Sequence, residues 1–502
     1  MLKTFCLIFL TASCFGSGIP HGHIDSSGFE SEKLVASDQV EDPQKIAESL
    51  PVSLAGDLAV QPLQQSGKGE LESTPDSYWP QFRGVQACGI GSGNPPIEWN
   101  VETGENILWK RKLDGLAHSS PIVHGNHVFV TTAVNERGNE QAIQTGFLQG
   151  TGQSADDSGN WRWQIACFDA NTGIEIWRRT VANRKPATKR HLKATHANCT
   201  PATDGTHIVA FFGSEGLYCL DFEGKLLWQK DFGKLHSGSY RSTDLEWGFA
   251  SSPVIHEGKV IVQCDCLNTA FVAILDVTNG NEIHRIPRND VATWSTPLVM
   301  ETETETQLIC NGYRQMASYN FETGEQIWTL SGGGDVPVPA PLTAHGLVFL
   351  SNGHGRQSAY AISPSARGDI TPDGSDSDEL PDGLVWYEPR GGAYIPTPIV
   401  VDDYLYTCSS RGVLAVRDAK TGELVYQQRV GGQYSASAVA TKDQLYFCGE
   451  DGTVNVVKTG VDYELLAKND MQETVFATPA IVGDQILIRT ANHLYAIGRS
   501  TE

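Results

Sequence analysis

The sequence predicts an all-β chain folded as an eight-bladed β-propeller of four-stranded antiparallel blades, closed by an N-terminal strand. Three observations predict it. A short phrase recurs eight times at a blade-sized interval, a turn-and-aromatic phrase interleaves with it, and the two ends of the repeating region complement each other.

The first phrase is a small or hydroxyl residue, a proline and then apolar residues. It reads Ser120-Pro121-Ile122-Val123, Thr200-Pro201-Ala202, Ser252-Pro253-Val254-Ile255 and Thr296-Pro297-Leu298-Val299. It continues as Ala340-Pro341-Leu342, Thr397-Pro398-Ile399-Val400, the proline-less Ser437-Ala438-Val439 and Thr478-Pro479-Ala480-Ile481. From Pro201 the next two intervals are 52 and 44 residues, and Pro297 to Pro341 is again 44. That is the period of a four-stranded propeller blade.

The second phrase begins at Asp169, passes Gly173 and ends at Trp177. It returns from Asp221 through Gly224 to Trp228, and from Asn320 through Gly324 to Trp328. Weaker copies run from Asp276 to His284 and from Asp418 to Tyr426. An Asp or Asn can accept backbone N–H groups in the turn that follows a strand. Glycine takes the positive φ that a side chain penalises. The closing aromatic is expected to pack between neighbouring blades.

After Pro479 come two strands, Gln485–Arg489 and His493–Ile497, with no closing tryptophan strand. Near the other end, Thr103–Trp109 is a closing strand with no blade of its own. Joining the two completes an eighth blade and removes exposed sheet edges. Two polar, Gly-rich insertions, 135–160 and 364–383, read as excursions from the rim.

Residues 1–19 read as a secretory signal, with Lys3, an apolar run from Phe5 to Leu10 and small residues after it. Cys14 follows Leu10-Thr11-Ala12-Ser13, which resembles a lipoprotein processing site, so a lipid anchor and simple cleavage both stand as readings. Residues 20–76 hold one aromatic before the repeats and too little apolar surface to offset chain entropy. They read as an acidic tether with an end-to-end distance of about 40 Å. The propeller is expected over 77–498, as a monomer exported to the periplasm or cell envelope. A formal net charge of −22 argues against nucleic acid. Cys167, Cys219, Cys264, Cys266, Cys310, Cys408 and Cys448 sit in apolar, strand-like runs and read as buried free thiols.

The candidate site is the channel mouth. Residues three before each repeat proline share its strand-face parity with the hydroxyl residue. They are His118, Asn198, Ala250, Trp294, Val338, Ile395, Ser435 and Phe476. Of these, His118, Asn198, Trp294, Ser435 and Phe476 are the ligand- or peptide-binding candidates, and the alternative is that the ring plugs a narrow axis. Lys185, Lys189, Arg190 and Lys193 read as a solvated basic loop, and the acidic run from Asp373 to Asp382 as a solvated acidic one. His124, His127, His191 and His196 read as solvent-facing turn residues, and no metal site is assigned.

The two phrases resemble those of PQQ-like (pyrroloquinoline-quinone-like) repeat propellers over about residues 78–498. Finer matches are Trp79-Pro80-Gln81-Phe82-Arg83-Gly84, Phe212-Gly213-Ser214-Glu215-Gly216-Leu217 and Arg367-Gly368-Asp369. The resemblance implies two opposed functions. Quinoprotein alcohol dehydrogenases clamp PQQ under a disulfide of adjacent cysteines, bind Ca²⁺ and use an Asp as base. Outer-membrane assembly lipoproteins of the BamB type are non-catalytic scaffolds. This chain has no Cys-Cys dipeptide and no Cys-x-x-Cys-His motif, and Cys264-Asp265-Cys266 has the wrong spacing. The reading is therefore a non-catalytic scaffold docking an envelope protein or peptide, with no catalytic residue and no cofactor. The alternatives are a PQQ- and calcium-dependent dehydrogenase with a degenerate site, and a propeller that senses a small ligand or polysaccharide.

Overall fold

The computed structural model describes residues 77–146, 153–242, 244–372 and 379–499. The expected signal, the tether, Cys14 and Asp373, Asp376 and Asp378 lie outside the described residues. Eight sheets form the propeller, and within each blade consecutive strands pair antiparallel. Blade one runs outward from Ile122–His124 to Glu175–Arg184, and blade two from Ala202–Thr203 to Leu226–Lys230. Blade three spans Val254–His256 to Glu282–Pro287, and blade four Leu298–Glu301 to Gln326–Leu330. Blade five spans Leu342–Ala344 to Leu384–Glu388, blade six Ile399–Val401 to Leu424–Arg429, and blade seven Val439–Ala440 to Leu465–Asp470.

The eighth sheet joins Ala480–Val482, Gln485–Arg489 and His493–Gly498 to Ile107–Lys112, with Ile107 opposite Ile497 and Trp109 opposite Ala496. The N-terminal strand starts later than the repeat phrase does, because Thr103 and Gly104 form the preceding turn. Two blades carry a fifth strand. Tyr78–Trp79 pairs with the inner strand of blade one, and Gly368–Asp369, from the second insertion, adds in parallel to the outer strand of blade four.

The repeat phrases turn out to join blades as well as shape them. Asp169 accepts the N–H groups of Asn171 and Thr172 on one carboxylate oxygen, and its carbonyl accepts the N–H of Gly173. Gly173 has φ 64°, and a Cβ there would lie 2.6 Å from the ring of Trp109, in the preceding blade. Trp177 lies on Gly224 and Trp228 on Gly280 in the same way. The indole N–H of each then donates to the next blade, Trp109 to Ala170, Trp177 to Phe222, Trp228 to Val277 and Trp386 to Ala419, at 2.7–2.9 Å. Blade three substitutes His284, whose ring covers Gly324. Trp328 is wholly buried, and its indole N–H has no partner among the described residues.

The hydroxyl before each repeat proline makes a second set of links. The N–H of Ser120 donates to the hydroxyl of Thr200, Thr200 to Ser252, and Ser252 to Thr296. Ala340 donates to Thr397, Thr397 to Ser437 and Ser437 to Thr478, each at 3.0 Å. Ala340 has no hydroxyl to offer blade four. These buried bonds satisfy backbone groups that would otherwise be costly to desolvate. Cysteines 167, 219, 264, 266, 310, 408 and 448 are free and buried, and burial pushes their thiols upward.

Candidate functional site

Each blade is entered through a crossing segment, and these segments deliver the ring positions to one end of the axis. All eight, from His118 to Phe476, line a single cavity of about 880 Å³. The hydroxyl residues Ser120, Thr200, Ser252, Thr296, Thr397, Ser437 and Thr478, two positions further along the same crossing segments, line it as well. The volume lies within the range of about 300–1,000 Å³ common for ligand sites.

The far end is crossed by residues 79–93. Pro80 accepts the N–H of Thr203 in blade two, and Gly89 and Gly91 bond to Ala440 in blade seven. A Cβ on Gly91 or Gly93 would strike Ile481 or Gly483 in blade eight. Arg83 is wholly buried and has no carboxylate partner among the described residues. Its guanidinium donates to the carbonyls of Ala87, Cys88, Thr397, Pro398 and Ala438, and burial lowers it to about 10. These contacts fall from the residue before the repeat proline onward, at Thr397, Pro398, Ala438, Ala440 and Thr203, whereas the ring residues lie earlier along the same segments. The segment therefore crosses the end opposite the mouth. Phe82 contributes to the cavity lining, so the cavity is blind.

At the mouth the polar ring residues are occupied. His118 Nε2 lies 2.7 Å from the carbonyl of Lys193, and its ring stacks on Phe476 at 4.7 Å. Burial lowers His118 to about 4, and burial with neighbouring Lys193 and Arg190 lowers His191 to about 4, so both are neutral at pH 7. Asn198 donates to Phe249 and accepts from Thr195. Ser435 donates to Glu450 at 2.6 Å. Trp294 donates its indole N–H to Gly248, packs against Trp247 at 5.7 Å and lines the cavity.

The basic segment read as a solvated loop is not one. Arg190 is buried against Asp157 at 2.5 Å, and Lys193 reaches Glu450 at 2.5 Å. Glu450 also accepts the N–H of Gly146, which belongs to the first insertion. The insertion, the basic segment and blade seven thus meet at the mouth. The sequence alone offered no signal for this, since the partners are 257 residues apart in the case of Lys193 and Glu450. His196 is likewise buried, edge-on to Trp161 and 3.4 Å from Asp157, rather than solvent-facing. Among the described residues, the cluster with metal-ligand spacing is His256, Glu257 and Glu301, away from the cavity.

The lining offers little for covalent or acid–base chemistry. Its carboxylates, Asp335 and Glu450, each have a cation, Arg241 at 3.0 Å and Lys193 respectively. The hydroxyls of Thr200, Ser252, Thr296, Thr397, Ser437 and Thr478 accept backbone N–H groups, and His354 faces Asp335. Nor do these residues fit PQQ with Ca²⁺. The lining contains no cysteine, and its two carboxylates stand on separate crossing and turn segments, each engaged in its own ion pair. No helix among the described residues is long and apolar enough to cross a membrane.

Residues 162–388 match the family model described as outer membrane protein assembly factor BamB. No curated protein matches the chain. Among solved structures the chain is similar to the crystal structure of BamB from Moraxella catarrhalis, at 13% identity, over 74% of this chain and 98% of that one, with a TM-score of 0.46. The described residues form a β-propeller, and residues 162–388 are similar to the BamB assembly-factor family.

Proposed function

We propose that this propeller is a non-catalytic docking scaffold of the cell envelope and that it receives a protein or peptide segment in the blind cavity at its mouth. The observation that carries the reading is the cavity itself. Eight blades bring one residue each to a single opening, the far end is crossed by residues 79–93, and the lining sets Trp247, Trp294, Tyr394 and Phe476 among polar and charged side chains that are largely engaged with one another. Scaffold propellers present such faces to partners on rigid elements, so binding costs little ordering of the protein side. The similarity of residues 162–388 to an assembly-factor family supports the scaffold class over the enzyme class.

A photocrosslinking amino acid at Trp294 or Tyr394, compared with one at Leu465 on the outer strand of blade seven, tests the place of docking. Crosslinks from an envelope extract should form at the two mouth positions, saturate, and be absent at Leu465. The reverse pattern would move docking to the rim. Purified protein incubated with PQQ and Ca²⁺ tests the class. Quinone absorbance retained on desalting, together with dye reduction by alcohols, would overturn the scaffold reading.

A further inference from the structure

Arg83 and Arg489 are both buried, and neither has a carboxylate partner among the described residues. They are satisfied to different degrees. Arg83 places Nε, Nη1 and Nη2 all on backbone carbonyls. Arg489 ends the strand Gln485–Arg489 of blade eight and is 2% exposed. Its Nη1 donates to the carbonyls of Ser119 and Thr131, at 3.2 and 2.7 Å, and so ties blade eight to blade one. Its Nε is buried and has no partner among the described residues. Burial lowers Arg489 to about 9, so it is still charged at pH 7. A buried ion with an unpaired donor and no counter-charge is costly to keep.

That guanidinium lines a second, small cavity of about 20 Å³ between blades eight and one, together with Leu116, Ile143, Thr195 and Thr490. Among the described residues that line it there is no carboxylate, and His118 is neutral at pH 7. Glu473, one residue before the lining, is turned to Thr490, Asn492 and His493 instead. The volume suits a single water-sized particle and is too small for a polyatomic anion such as sulfate. His118 and Phe476 line both this cavity and the mouth, so it lies behind the mouth wall. Ala491, an exposed lining residue, gives a path from solvent.

We infer that this small cavity is a halide site, taking chloride on the Arg489 Nε–H at the joint where the last blade meets the first. The inference stands apart from the docking reading. An anion there completes the guanidinium with a charge-assisted hydrogen bond and balances its charge in one step. A water would satisfy the Nε–H and leave the charge uncompensated. The bound ion fixes the side chain that holds Ser119 and Thr131, and so stabilises closure of the ring.

The test uses the full chain in sodium chloride and in sodium gluconate at one ionic strength, so that general screening is the same in both. Chloride should raise the melting point by about 2–4 °C over gluconate, which is too large to enter. The NMR line of chloride should broaden when the protein is added and narrow again when bromide competes, whereas sulfate should not compete. Arg489→Gln should remove both the broadening and the melting shift. Lys442→Gln, exposed and outside the cavity, should keep both. If Arg489→Gln does not melt cooperatively, the bromide and sulfate series on the parent protein decides. Equal melting in the two salts with an unbroadened line would overturn the site in favour of a water. Broadening that survives in a folded Arg489→Gln, or that sulfate removes as well as bromide does, would overturn it in favour of binding elsewhere on the surface.

Discussion

Replacing Trp177 and Trp328 each by alanine and by phenylalanine separates the two ways in which a closing tryptophan holds neighbouring blades together. A tryptophan buries about 150–250 Å², which at about 25 cal/mol/Å² is at most about 4–6 kcal/mol relative to an extended chain. Trp177 is 8% exposed and Trp328 is 0% exposed, so nearly all of that area is out of water in both. Either alanine variant should therefore cost about 3–5 kcal/mol. The phenylalanine variants should differ. Trp177 donates its indole N–H to Phe222 at 2.7 Å, a bond worth about 0.5–1.5 kcal/mol net. Trp328 buries an N–H that has no partner among the described residues, and removing it relieves a desolvation cost of about 1–3 kcal/mol. Trp177→Phe should then be the more damaging by about 1–2 kcal/mol. Urea denaturation followed by circular dichroism, with unchanged slopes, measures the order. Equal costs for the two phenylalanine variants would refute the linking role of the indole N–H. Alanine variants within about 1 kcal/mol of the parent would refute the packing itself.

Other expectations follow from the same geometry. Gly224→Ala should cost about 2–4 kcal/mol, because its φ is 78° and the new Cβ would lie 2.7 Å from the Trp177 ring. Gly104→Ala, at φ 84° with open space around it, should cost only about 1–2 kcal/mol in the same denaturation assay. Ser437→Ala removes the acceptor of the buried Thr397 N–H and should cost about 1–3 kcal/mol, whereas Ser437→Thr should be milder. Burial raises the Glu215 carboxyl to about 7, with its hydrogen bond from the Ala187 N–H opposing the shift. Its contribution is therefore present below the ordinary carboxylate range and is lost as pH rises through about 7. Glu215→Gln should melt higher than the parent at pH 8 but not at pH 4, and the opposite order would overturn the assignment. Deleting residues 1–76 should leave the melting point unchanged. Deleting through Lys112 removes both the Arg83 segment and the strand paired with His493–Gly498, and it should abolish cooperative melting.

The repeating architecture was legible in the sequence because each blade is a local unit. Strand, turn and closing aromatic lie within about fifty residues, and Asp169, Gly173 and Trp177 announce them by chemistry that acts over a few positions. Two-residue parity also located the ring from His118 to Phe476, since alternation along an extended segment is a local property. What those residues contact was not legible. The hydroxyl of the first phrase looks like strand-end decoration until the next blade supplies the N–H that it accepts. The glycine of the second phrase looks like a turn residue until the preceding blade lays its tryptophan on it. Trp79 to Gly84 read as a signature and proved to be part of the segment crossing the axis, where Arg83 is satisfied by carbonyls of two other blades. Lys193 read as a solvated cation and proved to be paired with Glu450. Periodicity along the chain determined what each blade would be. Only the tertiary structure decided which charges and rings would meet across the axis, because those contacts join residues hundreds of positions apart and no local pattern encodes them.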